Sequence, residues 1–203
     1  MFRILIALGL ITTAVPAAPP MVDSILARYG LEAFKKAQEV RFTFHAGKFG
    51  LGISHTWIFH PKSDSVTRVD GGKSFSLKSP GKHKGLAKDF ANDWYWLSFP
   101  LHLGLDKGIT ITVDSATASS PVRGESLTRV QVAYPKQGGF TPGDIYELWA
   151  APDGTIREWK YHRKGGKRGL QWKWDNHLTT GGVTFALDHD GPFRIHFTDV
   201  EVR

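Results

Sequence analysis

Cysteine is absent from all 203 residues. That excludes a disulfide framework and thiolate zinc ligation, and it leaves nothing to carry a lipid at a processed N-terminus. The signatures of several catalytic chemistries are missing as well. There is no Gly-x-Ser-x-Gly elbow, which argues against an α/β-hydrolase, and no His-Glu-x-x-His metalloprotease helix. Gly71-Gly72-Lys73-Ser74 imitates the end of a phosphate loop, but Thr67 stands where the upstream glycine is required. No internal repeat or low-complexity tract is present. No cofactor, metal ligand set or catalytic residue is assigned from motifs. The 26 Lys and Arg residues give a net charge of +7 but are dispersed, so nucleic acid is not the expected partner.

What is abundant is aromatic: seven Trp and thirteen Phe, residues that favour strands and apolar ligand pockets. The chain opens with Arg3, an apolar run over residues 4–15 too short to act as a stop-transfer helix, and Val15-Pro16-Ala17 before Ala18. This pattern predicts a secretory signal over 1–17, cleaved after Ala17 or Ala18, and one domain over 18–203. The expected product is soluble, periplasmic and not lipid-anchored.

Residues 144–175 organise the rest. Three runs of alternating polarity are separated by Asp153-Gly154 and Gly165-Gly166, and Asp-Gly between such runs signals a hairpin. Two-residue turns would set Leu148 opposite Trp159, Tyr146 opposite Tyr161, Trp159 opposite Trp172 and Tyr161 opposite Leu170. One face then carries Tyr146, Leu148, Trp159, Tyr161, Leu170, Trp172 and Trp174. The other, expected to be wet, carries Glu147, Glu158, Lys160, Gln171 and Lys173. A slip of one residue would scramble both faces, so two turns that agree make a curved sheet the natural reading.

Helical spacing of Val22, Ile25, Leu26, Tyr29, Leu31, Phe34 and Ala37 predicts a helix over 21–39, interrupted at Gly30. Period-two runs follow at 40–45, 54–60, 65–70, 73–77, 109–114, 127–134, 183–187 and 194–202. With the meander this makes roughly ten or eleven strands. Between them, residues 78–88 form a basic loop leading to a short helix over 86–92, followed by the apolar run 92–103. The fold class is mainly β (α+β): a curved antiparallel sheet, its open side covered by helix.

Asn92-Asp93-Trp94-Tyr95-Trp96-Leu97, Phe99-Pro100-Leu101-His102-Leu103, Phe140-Thr141-Pro142-Gly143-Asp144, Glu158-Trp159, Trp172-Lys173-Trp174 and Phe197-Thr198-Asp199-Val200 together resemble a family of exported bacterial proteins of unknown function. The order of elements also resembles the outer-membrane lipoprotein carriers LolA and LolB. That resemblance implies a half-open barrel with a helical lid, here residues 84–103, over a concave apolar face that holds acyl chains.

Trp57, Phe59, Trp94, Trp96, Phe99, Tyr146, Trp159, Trp172 and Trp174 are the candidate cavity residues, and the same rings could instead fill a solid core. Lys78, Lys82, Lys84, Arg163, Lys164, Lys167 and Arg168 form a candidate basic surface for anionic headgroups. The leading expectation is a non-catalytic protein that binds an apolar or lipid-like ligand, with a lipoprotein or membrane surface as a further partner. One alternative is a metal-assisted or acid/base hydrolase with His and Asp converging at the cavity rim, for which Asp188-His189-Asp190 is the most suggestive cluster, although it also reads as a turn. The other alternative is an envelope interaction module that uses the basic loops. His102 is expected to be a hydrogen-bonded core histidine.

Overall fold

The computed structural model describes residues 20–48 and 51–203. The expected signal segment 1–17 lies outside the described residues. The described residues open with helices α1 (Pro20–Arg28) and α2 (Leu31–Phe34), so the predicted helix over 21–39 is divided and shorter than its apolar spacing suggests. The break is at Gly30, whose φ is 74°, and a Cβ there would sit 2.1 Å from the Gly182 carbonyl oxygen. Only glycine permits both that turn and that approach.

Strands β1 (Val40–Lys48), β2 (Leu51–His60), β3 (Ser65–Arg68) and β4 (Lys73–Ser76) come next. The long helix α3 (Lys84–Leu105) follows. The remainder is β5 (Thr110–Val113), β6 (Ala118–Ser119), β7 (Ser126–Ala133), β8 (Ile145–Ala150), β9 (Ile156–His162), β10 (Leu170–Lys173), β11 (Asp175–Thr180), β12 (Val183–His189) and β13 (Arg194–Val202). One sheet has the order β11-β12-β13-β1-β2-β3-β4 and the other β10-β9-β8-β7-β5, with β6 paired to β7. Every pairing is antiparallel and neither sheet closes on itself. The mainly antiparallel, open α+β architecture is the expected class.

The meander has the register read from its alternation: Leu148 pairs with Trp159, Tyr146 with Tyr161, Trp159 with Trp172 and Tyr161 with Leu170. The Asp153-Gly154 connection is longer than two residues, because the Ala151 N–H bonds the Thr155 carbonyl and Ala150 pairs with Ile156. A bulge between Trp149 and Ala150 then restores the register. The third strand also differs from its predicted extent. It leaves the second sheet at Trp174 and continues as β11 in the first, so Trp174 is the corner between the sheets.

The face expected to be wet is partly covered. Glu158 is fully buried, because the 120–125 segment folds over it, and Glu147 is nearly so, beside Arg129 and His162. Glu158 takes hydrogen bonds from Ser120 Oγ (2.7 Å), the Val122 N–H (2.8 Å) and the Arg123 N–H (2.7 Å). A buried carboxylate persists only when its lone pairs are met in this way.

Helix α3 is one continuous element of 22 residues rather than a short helix and a separate apolar run. Its second half, from Trp96 to Leu103, is buried on every side. A helix that is apolar all round belongs in an interior. Here it runs between the sheets, sending Phe90 and Trp94 toward the first and Trp96 and Phe99 toward the second.

Candidate functional site

A cleft of about 710 Å³ opens beside the first half of α3. The helix presents Lys84, Ala87, Lys88, Ala91, Asn92 and Tyr95 to it, residues that recur at three- and four-residue intervals and so share one face. The opposite wall is sheet. Tyr146 on β8 and Trp159 and Tyr161 on β9 alternate onto the same side of the pleat. Trp96 lines the cleft beside Trp159, with ring centroids 4.5 Å apart, and the loop 139–142 supplies the outer edge, where Phe140 is half exposed.

The polar groups of the cleft are few. Asp144 accepts from the Lys164 N–H at 2.8 Å and from the Tyr161 hydroxyl at 3.1 Å. Burial, reinforced by Asp144, pushes the Tyr161 phenol up to about 12. Burial likewise raises the phenol of Tyr146. These hydroxyls therefore stay neutral and act as hydrogen-bonding groups, not as bases. Lys84 and Lys88 stand at the mouth, exposed.

The nine aromatic candidates divide into three places. Trp96, Tyr146 and Trp159 line the cleft. Phe99, Trp172 and Trp174 lie behind it: Phe99 and Trp174 stand 4.9 and 4.8 Å from Trp159, and Trp172 stands 4.7 Å from Trp96. Trp57, Phe59 and Trp94 are on the far side of α3, in a packed layer with Phe42 and Phe90. One aromatic concavity would need an empty space between the sheets, and α3 occupies that space.

Of the basic candidates, Lys84 is at the cleft mouth and Lys82 is exposed in the turn before α3. Lys78 is engaged with Asp64. Arg163, Lys164, Lys167 and Arg168 are exposed in the β9–β10 connection, which begins at the cleft through the bond from Lys164 to Asp144.

Two His–Asp pairs exist that the sequence reading did not find. Asp93 accepts from His55 Nδ1 and Trp57 Nε1, both at 2.8 Å, and from Asn92 at 3.1 Å. Burial raises its pKa, against the pull of those three donors. Further along α3, His102 Nδ1 is 2.9 Å from Asp106 and His102 Nε2 is 3.2 Å from Ser98 Oγ. The spacing of Ser98, His102 and Asp106 by four on one helix was the available signal. Asp106 also accepts from the hydroxyls of Tyr95 (2.8 Å) and Tyr134 (2.6 Å). Although burial opposes it, the His102 hydrogen bond holds the Asp106 carboxyl below its ordinary range.

The Ser98-His102-Asp106 set has triad connectivity without triad function. Ser98 is 1% exposed, and its one proton goes to the Trp94 carbonyl at 2.7 Å, not to the imidazole. A mid-helix serine also has no free backbone N–H groups to stabilise an oxyanion. Neither His–Asp pair lines the cleft. Among the described residues no group of three His, Asp or Glu side chains is placed to hold a metal ion. Asp188 and His189 point to opposite faces: Asp188 bonds Arg194 at 2.8 Å, and His189 is fully buried. Both ring nitrogens of His189 and the indole nitrogens of Trp159 and Trp174 have no hydrogen-bond partner among the described residues. Burial drives His189 down to about 3.

Neither the protein-family models nor the curated proteins give a match. Solved structures do. A LolA superfamily protein from Nitrosomonas europaea aligns with a TM-score of 0.50 and 10% identity, over 87% of this chain and 93% of that one. A DUF1329 family protein from Desulfovibrio piger aligns at 0.45 and 8% identity, over 91% and 94%. A domain described as an outer membrane lipoprotein-sorting protein from Vibrio parahaemolyticus aligns at 0.43 and 8% identity, over 87% and 93%. At this identity the likeness to the first is one of fold: the chain has a LolA-like fold.

Proposed function

We propose that this protein binds an apolar, chain-like ligand of lipid type in the cleft beside α3, without covalent chemistry, after export to the periplasm. The observation that carries the reading is the cleft itself: about 710 Å³, walled by Trp96, Tyr146 and Trp159, with its one buried carboxylate already hydrogen-bonded. Concave, mostly aromatic surfaces with a few placed polar groups are ordinary small-ligand sites. The export pattern at residues 1–17 supports the compartment. No helix among the described residues is long and apolar enough to cross a membrane.

Native mass spectrometry of the protein isolated from its own cells, with solvent extraction of whatever co-purifies, tests this. The expected result is a bound lipid or acylated species released by extraction. A ligand-free mass, together with no uptake of any long-chain compound by the purified protein, would overturn it.

A further inference from the structure

Resting on that reading, we propose that the ligand is a single-chain anionic amphiphile, its carboxylate or phosphate held at the cleft mouth by Lys84 and Lys88 and its alkyl chain lying against Trp96 and Trp159.

The first ground is charge. Lys84 and Lys88 are one helical turn apart on the cleft face of α3. Neither makes an ion pair or hydrogen bond among the described residues, whereas Lys78 nearby is engaged with Asp64. Asp144, the carboxylate that lines the cleft, keeps its charge while it accepts from the Lys164 backbone N–H and the Tyr161 hydroxyl, and it is paired with neither Lys84 nor Lys88 among the described residues. Two ammonium groups at the edge of an apolar cleft complement an anionic head on an apolar body. The first turn of α3 adds a field of the same sign, since it holds no acidic residue and its N-cap makes no side-chain hydrogen bond.

The second ground is size. A water-sized unit takes about 30 Å³ of liquid, so a cleft of about 710 Å³ holds roughly two dozen non-hydrogen atoms. That is the size of one long chain with its head. The phenols of Tyr95, Tyr146 and Tyr161 sit on the chain's path as neutral hydroxyls and do not repel an anion.

The test is calorimetric titration of the full chain with hexadecanoate, hexadecyl phosphate, uncharged hexadecyl alcohol and a diacyl phosphatidylglycerol, below their aggregation concentrations. It is run on the natural protein and on the Lys84→Gln/Lys88→Gln pair. The two anions are expected to bind several-fold to about tenfold tighter than the alcohol at low salt, the range two exposed charge contacts provide. The double variant should bind the alcohol unchanged and lose the preference, and the diacyl lipid should bind poorly. Equal binding of anions and alcohol, or a preference that survives the double variant, would overturn the headgroup assignment while leaving the apolar cleft intact. Tight binding of the diacyl lipid would overturn the single-chain assignment. Failure of every compound to bind would overturn the proposed function itself, and this inference with it.

Discussion

Asp93 on α3 accepts the Trp57 indole N–H of β2 at 2.8 Å, a hydrogen bond between a buried carboxylate and a fully buried ring. With His55 Nδ1 at the same distance, it ties the long helix to the first sheet. Replacing Asp93 by Ala leaves the buried Trp57 N–H and the part-buried His55 without their acceptor. The expected loss is about 3 kcal/mol, read as a lower urea midpoint at unchanged slope. The Trp57→Phe/Asp93→Ala double variant should fall short of the sum of the single losses, because the two residues share one interaction.

The Glu158 carboxylate plays the equivalent part on the second sheet, where it holds the 120–125 segment down through three donors. Glu158→Ala should cost about 3 kcal/mol. The amides of Val122 and Arg123 should lose hydrogen-exchange protection more than those of β8 do. Uniform loss of protection across both would contradict a local latch.

His189 makes stability depend on pH. Its folded pKa, about 3, lies below the ordinary value of 6.5, because burial among Trp96, Trp174 and Phe197 disfavours the charged ring. Asp188 pulls the other way, and His177 adds to the depression. The unfolded chain therefore takes up a proton that the folded chain refuses. This contribution is complete above pH 6.5 and is lost as pH falls from there toward 3. His189→Phe keeps a ring, removes two unpartnered nitrogens and should raise the melting temperature. It should also flatten the decline between pH 6.5 and 4. An unchanged acid limb would remove His189 as its cause.

Ser98 should be chemically silent. A fluorophosphonate probe is expected to leave it unlabelled, and Ser98→Ala is expected to leave ligand binding unchanged. Stoichiometric labelling at Ser98 would reopen the hydrolase alternative.

The sequence was legible where local rules decide. The register of the meander follows from two assumed two-residue turns checked against period-two alternation, and Leu148–Trp159 and Tyr161–Leu170 pair as that reading requires, although the first connection is longer and the second holds a 3-10 turn over Arg163–Gly165. The bulge at Trp149/Ala150 and the change of sheet at Trp174 were not legible, because long-range packing sets both. Helix α3 was half hidden for a related reason. Residues 96–103 are all buried, the polar Ser98 and His102 included, so periodicity does not say which face is buried. The predicted short helix stops at Asn92, and the place of Asp93 inside α3 was hidden because its partners His55 and Trp57 arrive from a distant strand. The cleft shared this limit. Tyr146 and Trp159 belong to it by alternation, but Lys88, Ala91 and Asn92 join only once the helix is laid beside them.

The most direct measurement of the central claim is quenching of indole fluorescence by a long-chain fatty acid brominated along its chain, since bromine quenches only on contact. Saturable quenching is predicted in the natural protein. In an Ala91→Phe variant, which narrows the cleft and should retain the natural far-ultraviolet circular dichroism, the quenching should be largely lost. Absence of quenching in the natural protein, or equal quenching in the folded variant, would contradict the cleft beside α3 as the ligand site.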